Sequence, residues 1–259
     1  MYIDYEVADR IGTITLNRPE AANAQNPELL DELDAAWTRA AEDPEVSVIV
    51  LRANGKHFSA GHDLRGGGPV PDKITLDFII QHEAKRYLEY TLRWRNVPKP
   101  SIAAVQGRCI SGGLLLCWPC DLIIAADDAQ FSDPVVLMGI GGVEYHGHTW
   151  ELGPRKAKEI LFTGRAMTAE EGERWGWFNR VVAPEAVLAD AQALARELAT
   201  GPTFGHAMTK KMLDHEWNMA IEQAIEAEAQ AQALCMATQD FKRAYEAFAQ
   251  RTRPVFKGD

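Results

Sequence analysis

Twice in this chain a strand-like run ends in a stretch that places glycine and other small residues where the backbone must turn. Gly55-Lys56-His57-Phe58-Ser59-Ala60-Gly61-His62-Asp63-Leu64 follows the apolar run from Val46 to Arg52. Gln106-Gly107-Arg108-Cys109-Ile110-Ser111-Gly112-Gly113 follows Ser101 to Val105. Small residues at such a point let peptide N–H groups approach an oxygen closely, unhindered by side chains. Two N–H groups converging on one carbonyl would stabilise negative charge developing there.

Strand and helix signals alternate around these stretches. Met1 to Val7 and Ile11 to Leu16 read as a hairpin about Asp9-Arg10. Asn26-Pro27 opens a helix whose Leu30, Leu33, Ala36 and Trp37 recur at helical spacing. An amphipathic helix is predicted from about Asp72 to Arg95, closed by Pro98 and Pro100. Leu122 to Ala125 and Val181-Val182 read as short strands. Between them lie a helix near Pro154 to Leu161, stopped by Gly164, and another opened by Thr168 with Glu171 in a capping box. The repeated order of strand, strand and helix indicates an α/β fold. After Pro184 the pattern is nearly all helical, broken at Gly201-Pro202.

Charge and cysteine usage narrow the function classes. The 259 residues include 37 acidic and 27 basic ones, a formal charge of −10. That balance argues against nucleic acid or an anionic membrane surface as the main partner. The opening reads as a strand rather than a signal peptide, and the most apolar run, Ile110 to Ala126, is interrupted by Pro119 and Asp121. A cytoplasmic protein with reduced thiols is expected. Cys117-Trp118-Pro119-Cys120 has redox spacing, but falls late in a short helix rather than at a helix start, so buried core cysteine is the simpler reading. No Cys/His pairs at zinc spacing accompany it, and no metal is expected.

In wording, spacing and position, the two glycine-bearing motifs resemble those of the crotonase superfamily, the enoyl-CoA hydratase/isomerase family. The resemblance runs from Leu16-Asn17-Arg18-Pro19 to Ala247-Phe248. It implies a spiral of ββα repeats over residues 1–200 and a C-terminal helical region, 201–259, serving trimerisation and coenzyme contact. The partners implied are an acyl-CoA substrate and further copies of the chain, as a trimer or a hexamer. Coenzyme A would enter as part of the thioester, with no permanently bound cofactor. The resemblance places one oxyanion N–H on His62 and the second on Gly112. Ser59 and Ala60 fall where the main chain meets the adenine ring, and Lys56 faces the CoA phosphates. Arg251, Arg253 and Lys257 match a basic run presented to the nucleotide end, sometimes by a neighbouring subunit.

The chain departs from the family at the two glutamates that hydratases place across the enoyl double bond. Leu115 and Val135 occupy those positions, and neither side chain can carry a proton. Positioned acid–base groups contribute ~10²–10⁴ each, so standard hydration should be absent or very slow. Replacement candidates lie further on in Val143-Glu144-Tyr145-His146-Gly147-His148. Glu144 or His146 could act as the base, and Tyr145 and His148 could line the acyl pocket with Leu115 and Val135. Asp133 is a further carboxylate, and Cys109 could face the thioester. Three classes fit: a lyase or isomerase working through a thioester enolate with non-standard proton carriers, a hydrolase opening a β-diketone, or an acyl-CoA-binding homologue without chemistry.

Overall fold

The structure, a computed structural model, describes residues 1–65, 75–141 and 147–259. Asp9 and Arg10 both take positive φ, 52° and 64°, the backbone of a tight hairpin turn whose twist suits the flanking strands. They fold β1 (Ile3–Ala8) antiparallel onto β2 (Ile11–Leu16), with Ile3 opposite Leu16. Every residue of β2 is buried, because the strand is covered on both faces.

From β2 onward the large sheet is parallel. Its order is β1, β2, β3 (Val48–Ala53), β4 (Ser101–Val105), β6 (Leu122–Ala126) and β9 (Arg180–Val182). A second sheet joins β5 (Arg108–Ile110), β7 (Gln130–Ser132) and β8 (Met167–Thr168). The chain thus adds one strand to the large sheet, a short one to the small sheet and then a helix, turn after turn. Isolated bridges carry this small layer further: Ser59 pairs with Cys109, and Gln25 with His62. The small sheet leaves no local signal in the sequence, since strands of two or three residues carry no readable periodicity.

The helices follow their local signals closely. α1 (Pro27–Glu42) starts where the Asn26 side chain accepts the Leu29 N–H at 2.9 Å, and buries Leu29, Leu30, Leu33, Ala36, Trp37 and Ala40. α2 (Leu76–Glu83) and α3 (Tyr90–Arg95) are joined through a wider π turn over 84–89. Residues 72–74 of the expected helix lie outside the described residues. α4 (Gly112–Cys117) is short; α5 (His148–Thr163) breaks at Gly153 and ends at Gly164. α6 (Ala169–Arg174) has its capping box, with Glu171 N–H on Thr168 Oγ1 at 3.2 Å and Thr168 N–H on Glu171 Oε2 at 3.1 Å.

α7 (Val187–Ala199) lies across β3, β4 and β6, burying Val187, Ala191, Ala195 and Ala199. Their four-residue spacing makes one small-residue stripe that lets the helix sit close to the sheet. The hydrophobic core extends from Ile3 to Ala199. Beyond it, α8 (Thr203–Glu216), α9 (Ile221–Met236) and α10 (Gln239–Gln250) leave Leu213, Trp217, Ile221, Ile225, Tyr245 and Phe248 more than half exposed.

Candidate active site

Successive turns of the spiral leave the small layer side by side, and that brings the two glycine-bearing motifs together. Ser59 N–H donates to the Arg108 carbonyl at 3.2 Å and Ile110 N–H to the Ser59 carbonyl at 3.0 Å. His57 Nδ1 accepts the Arg108 N–H at 3.2 Å. Burial and the neighbouring charges of Arg108 and Lys56 push the His57 pKa down, which suits an imidazole that accepts a backbone hydrogen bond. Gly61 then crosses Ile110 and Gly112 at close range. A Cβ on Gly61, whose φ is +82°, would stand 2.6 Å from the Ile110 oxygen and 3.2 Å from the Gly112 nitrogen.

The bridge to Gln25 sets the direction of the next peptide. Gln25 N–H donates to the Gly61 carbonyl at 2.7 Å, and Asp63 N–H donates to the Gln25 carbonyl at 2.9 Å. The carbonyl and N–H of one trans peptide point oppositely, so with the Gly61 carbonyl on Gln25 the His62 N–H points away from Gln25. Gly112, whose nitrogen Gly61 approaches, begins α4, and the first N–H groups of a helix have no intrahelical acceptor. Ser111, just before it, holds φ +44° and ψ −109°, a backbone that a non-glycine residue adopts only under constraint. The constraint is the small sheet: Ser111 N–H donates to the Ser132 carbonyl at 2.9 Å.

Residues that sequence reasoning passed over hold the first turn in place. Arg18 Nη1 pairs with Asp63 Oδ2 at 2.6 Å and also donates to the Ala24 carbonyl at 2.9 Å; the two charged side chains are only 15% and 7% exposed. The Asn23 amide bridges the carbonyls of Asn54 and His57 at 2.9 and 3.0 Å. The Ser59 hydroxyl donates to the Asn23 carbonyl at 2.8 Å and accepts from Gly61 N–H and Gln25 Nε2 at 3.2 and 3.3 Å. Arg18-Pro19 stands in the sequence as the start of the family resemblance, but Asp63 lies 45 positions from Arg18, and the carbonyls that Asn23 holds lie 31 and 34 positions from it, beyond any local signal.

The other expected site residues divide. Lys56 is exposed at the turn after β3, and Ala60 is half-buried beside it. Ser59 is fully buried, with N–H, carbonyl and hydroxyl all engaged inside the protein. Leu115 is buried in α4, and Val135 is half-buried in a 3-10 turn over Pro134–Met138. His148 is buried edge-on to Trp118, ring centroids 4.7 Å apart, in a cluster with Trp177. Glu144, Tyr145 and His146 lie outside the described residues. Arg251 and Arg253 are exposed just beyond α10. Lys257 lines a cavity with Val46, Ser47 and Lys99 at the start of β3 and β4, the opposite end of the sheet from Lys56.

The four cysteines are free thiols. Cys109 Sγ rests 3.9 Å from Cys117 Sγ, and burial pushes the Cys117 and Cys120 thiols well above their ordinary range, the opposite of what a redox pair requires. Among the described residues no group of three His, Cys, Asp or Glu side chains could hold a metal. No described helix is long and apolar enough to cross a membrane.

Comparison with known proteins gives one family. Residues 6–259 match the family model described as enoyl-CoA hydratase/isomerase. The crystal structure of a probable enoyl-CoA hydratase from Mycobacterium smegmatis is 71% identical, with 90% of this chain and 91% of that one covered and a TM-score of 0.80. "Putative enoyl-CoA hydratase EchA13" of Mycobacterium tuberculosis (strain ATCC 25618 / H37Rv) is 40% identical over 82% of this chain and 73% of that protein. The enoyl-CoA hydratase structure from Bacillus anthracis, at 25% identity, covers both chains in full with a TM-score of 0.92.

Proposed function

The chain belongs to the enoyl-CoA hydratase/isomerase family, and from that premise we propose that it processes acyl-CoA thioesters through an enolate held by the His62 and Gly112 amides. The observation that carries this reading is the approach of Gly61 to Ile110 and Gly112, which brings two backbone turns together without an intervening side chain. A thioester oxygen seated between the two N–H groups gains charge as the α-proton leaves. Removing one such donor typically costs ~10²–10³ in rate.

Leu115 and Val135 shape the rest of the proposal. Without carboxylates at those positions the chain has lost the pair that activates water and returns a proton in the family's hydratases. The reaction is therefore a lyase or isomerase type of step whose acid and base come from other residues. Lys56 and Ala60, at the open edge of the first motif, meet the coenzyme. Arg251 and Arg253 extend the basic contact from α10, on the same chain or a neighbouring one. The apolar side chains left exposed on α8 to α10 support association of copies into a trimer or hexamer through this region, which light scattering would register directly.

Two assays on one sample test the reading. Butyryl-CoA at about 100 times its Kd should stabilise the fold by ~2.7 kcal/mol, seen as a rise in Tm. Crotonyl-CoA hydration, followed by loss of the enoyl absorbance, should run at least ~10² slower than in a hydratase carrying both glutamates. No thermal shift, or hydration at the rate of that hydratase, would refute the proposal.

A further inference from the structure

The side chain of His62 has a place in the site that its backbone role does not explain. Its imidazole is half-buried and stacked on Tyr87, ring centroids 4.3 Å apart and planes 21° apart. Tyr87 is itself buried and presented by the π turn between α2 and α3, a helix distortion often found where a side chain must be aimed. His62 Nδ1 lies 3.0 Å from where a Cβ on Gly112 would be. The ring that follows one amide donor thus faces the residue that carries the other.

Two polar side chains from neighbouring turns of the spiral flank the Ser111-Gly112 turn. Asp133, completely buried, is the first residue beyond β7, as Ser111 is the first beyond β5, and Ser111 Oγ donates to Asp133 Oδ1 at 3.2 Å. Through Ser111, Asp133 is tied to the residue that immediately precedes Gly112. Gln25 contributes a carboxamide whose Nε2 is anchored on Ser59 Oγ and whose buried Oε1 has no hydrogen-bond partner among the described residues. That oxygen lies 2.6 Å from the same Cβ position on Gly112. A buried acceptor left without a donor is costly, and here it faces the point where a reacting group would sit.

We infer that the His62 imidazole is the proton carrier at the thioester α-carbon, with Asp133 as its positioning residue and Gln25 Oε1 the acceptor that receives the proton-bearing group. The inference rests on the proposed seating of the thioester between the His62 and Gly112 amides. In the forward step the neutral imidazole takes the α-proton and the C–H bond breaks. Its electron pair forms the Cα=C double bond, and the carbonyl pair moves onto the oxygen held by the two amides. The imidazolium so formed has the Gln25 Oε1 acceptor close to it, Asp133 holds the Ser111 turn in place, and the reverse transfer returns the proton to carbon. No oxidant, metal or second substrate is needed to balance the step.

The test is α-proton exchange of butyryl-CoA in D₂O, read by mass spectrometry, with binding followed separately by thermal shift. The wild-type chain should incorporate deuterium. H62A keeps the backbone N–H and should lose ~10²–10⁴ of the exchange rate while still binding butyryl-CoA; H62Q, which retains a side chain against Tyr87, should behave the same way. D133N should lower the maximal exchange rate by ~10-fold or more without changing half-saturation, and D133E should restore part of it. Exchange in H62A or H62Q at the wild-type rate would overturn the inference and leave the oxyanion reading intact. Binding without exchange in the wild type would also overturn it. Absence of binding would remove the thioester reading and the inference together.

Discussion

The turn through Ser59 to Asp63 and the turn through Ile110 to Gly113 place their peptides in the same small layer, yet they are built in opposite ways. The first keeps its side chains: His62 carries an imidazole into the site and Asp63 ties the turn to Arg18. The second is stripped, with Gly112 facing Gln25 Oε1 and His62 Nδ1 at distances that leave little room for a methyl group. The difference follows from what supports each. The first turn is gripped from one side by the Gln25 bridge and by an ion pair, so its other side is open to carry a functional group. The second is wedged between Gln25, Ser59 and Ser132, and only backbone fits. One turn therefore supplies an amide and chemistry, the other an amide alone.

Breaking the support of the first turn should have the largest effect on stability. Arg18→Ala removes the charge partner of the nearly buried Asp63, and breaking a buried pair in this way costs ~3–5 kcal/mol. In a chain of this size ~1 kcal/mol moves Tm by ~2–4 °C, so thermal denaturation should show a fall of roughly 10 °C. A fall of a degree or less would mean that the Gln25 bridge alone holds the turn. Gly61→Ala should come next, because the new methyl meets the Ile110 oxygen and the residue keeps a left-handed φ. A loss of ~2–3 kcal/mol is expected from strain and overpacking together, with weaker binding of butyryl-CoA. Unchanged stability would show that the two turns are less tightly apposed than described.

The smallest expected effect has the opposite sign. Burial raises the Asp133 pKa, only partly offset by the Ser111 hydroxyl and the Val135 N–H. A carboxyl whose folded pKa lies above its unfolded value binds its proton more readily when folded. Its contribution to stability is therefore lost as pH rises through the interval between the two values. Asp133→Asn removes that titration, so at pH 7 the variant should be more stable than wild type, seen as a small rise in Tm. The advantage should vanish at a pH below the unfolded value. Reduced exchange with increased stability would fit a carboxyl kept for function rather than for the fold. Lower stability at pH 7 would contradict this account of its burial.

Much of this architecture is legible in the sequence. The hairpin at Asp9-Arg10, the Asn26 cap, the Thr168 and Glu171 box and the strands at Ser101 and Leu122 each depend on a few neighbouring residues, and each occurs where local chemistry places it. Both glycine-bearing motifs were legible for the same reason. What could not be read was convergence. Gln25, His62, Ser111 and Asp133 are far apart in the chain and meet only because each ends a short segment in the small layer. Arg18 gave no sign of Asp63, 45 residues on. Asp133 stood out less than the carboxylate and imidazoles of 144–148, because its burial depends on β5 and β7, three residues each.

The central claim is that one thioester oxygen sits between the His62 and Gly112 amides, and isotope-edited infrared spectroscopy of bound butyryl-CoA labelled at the carbonyl carbon measures this directly. Two hydrogen bonds to that oxygen weaken the C=O bond, so the labelled band should move to lower frequency on binding. Gly112→Ala, by displacing one donor, should return part of that shift. A bound thioester whose carbonyl band matches that in water, in the wild-type chain as in the variant, would contradict the account.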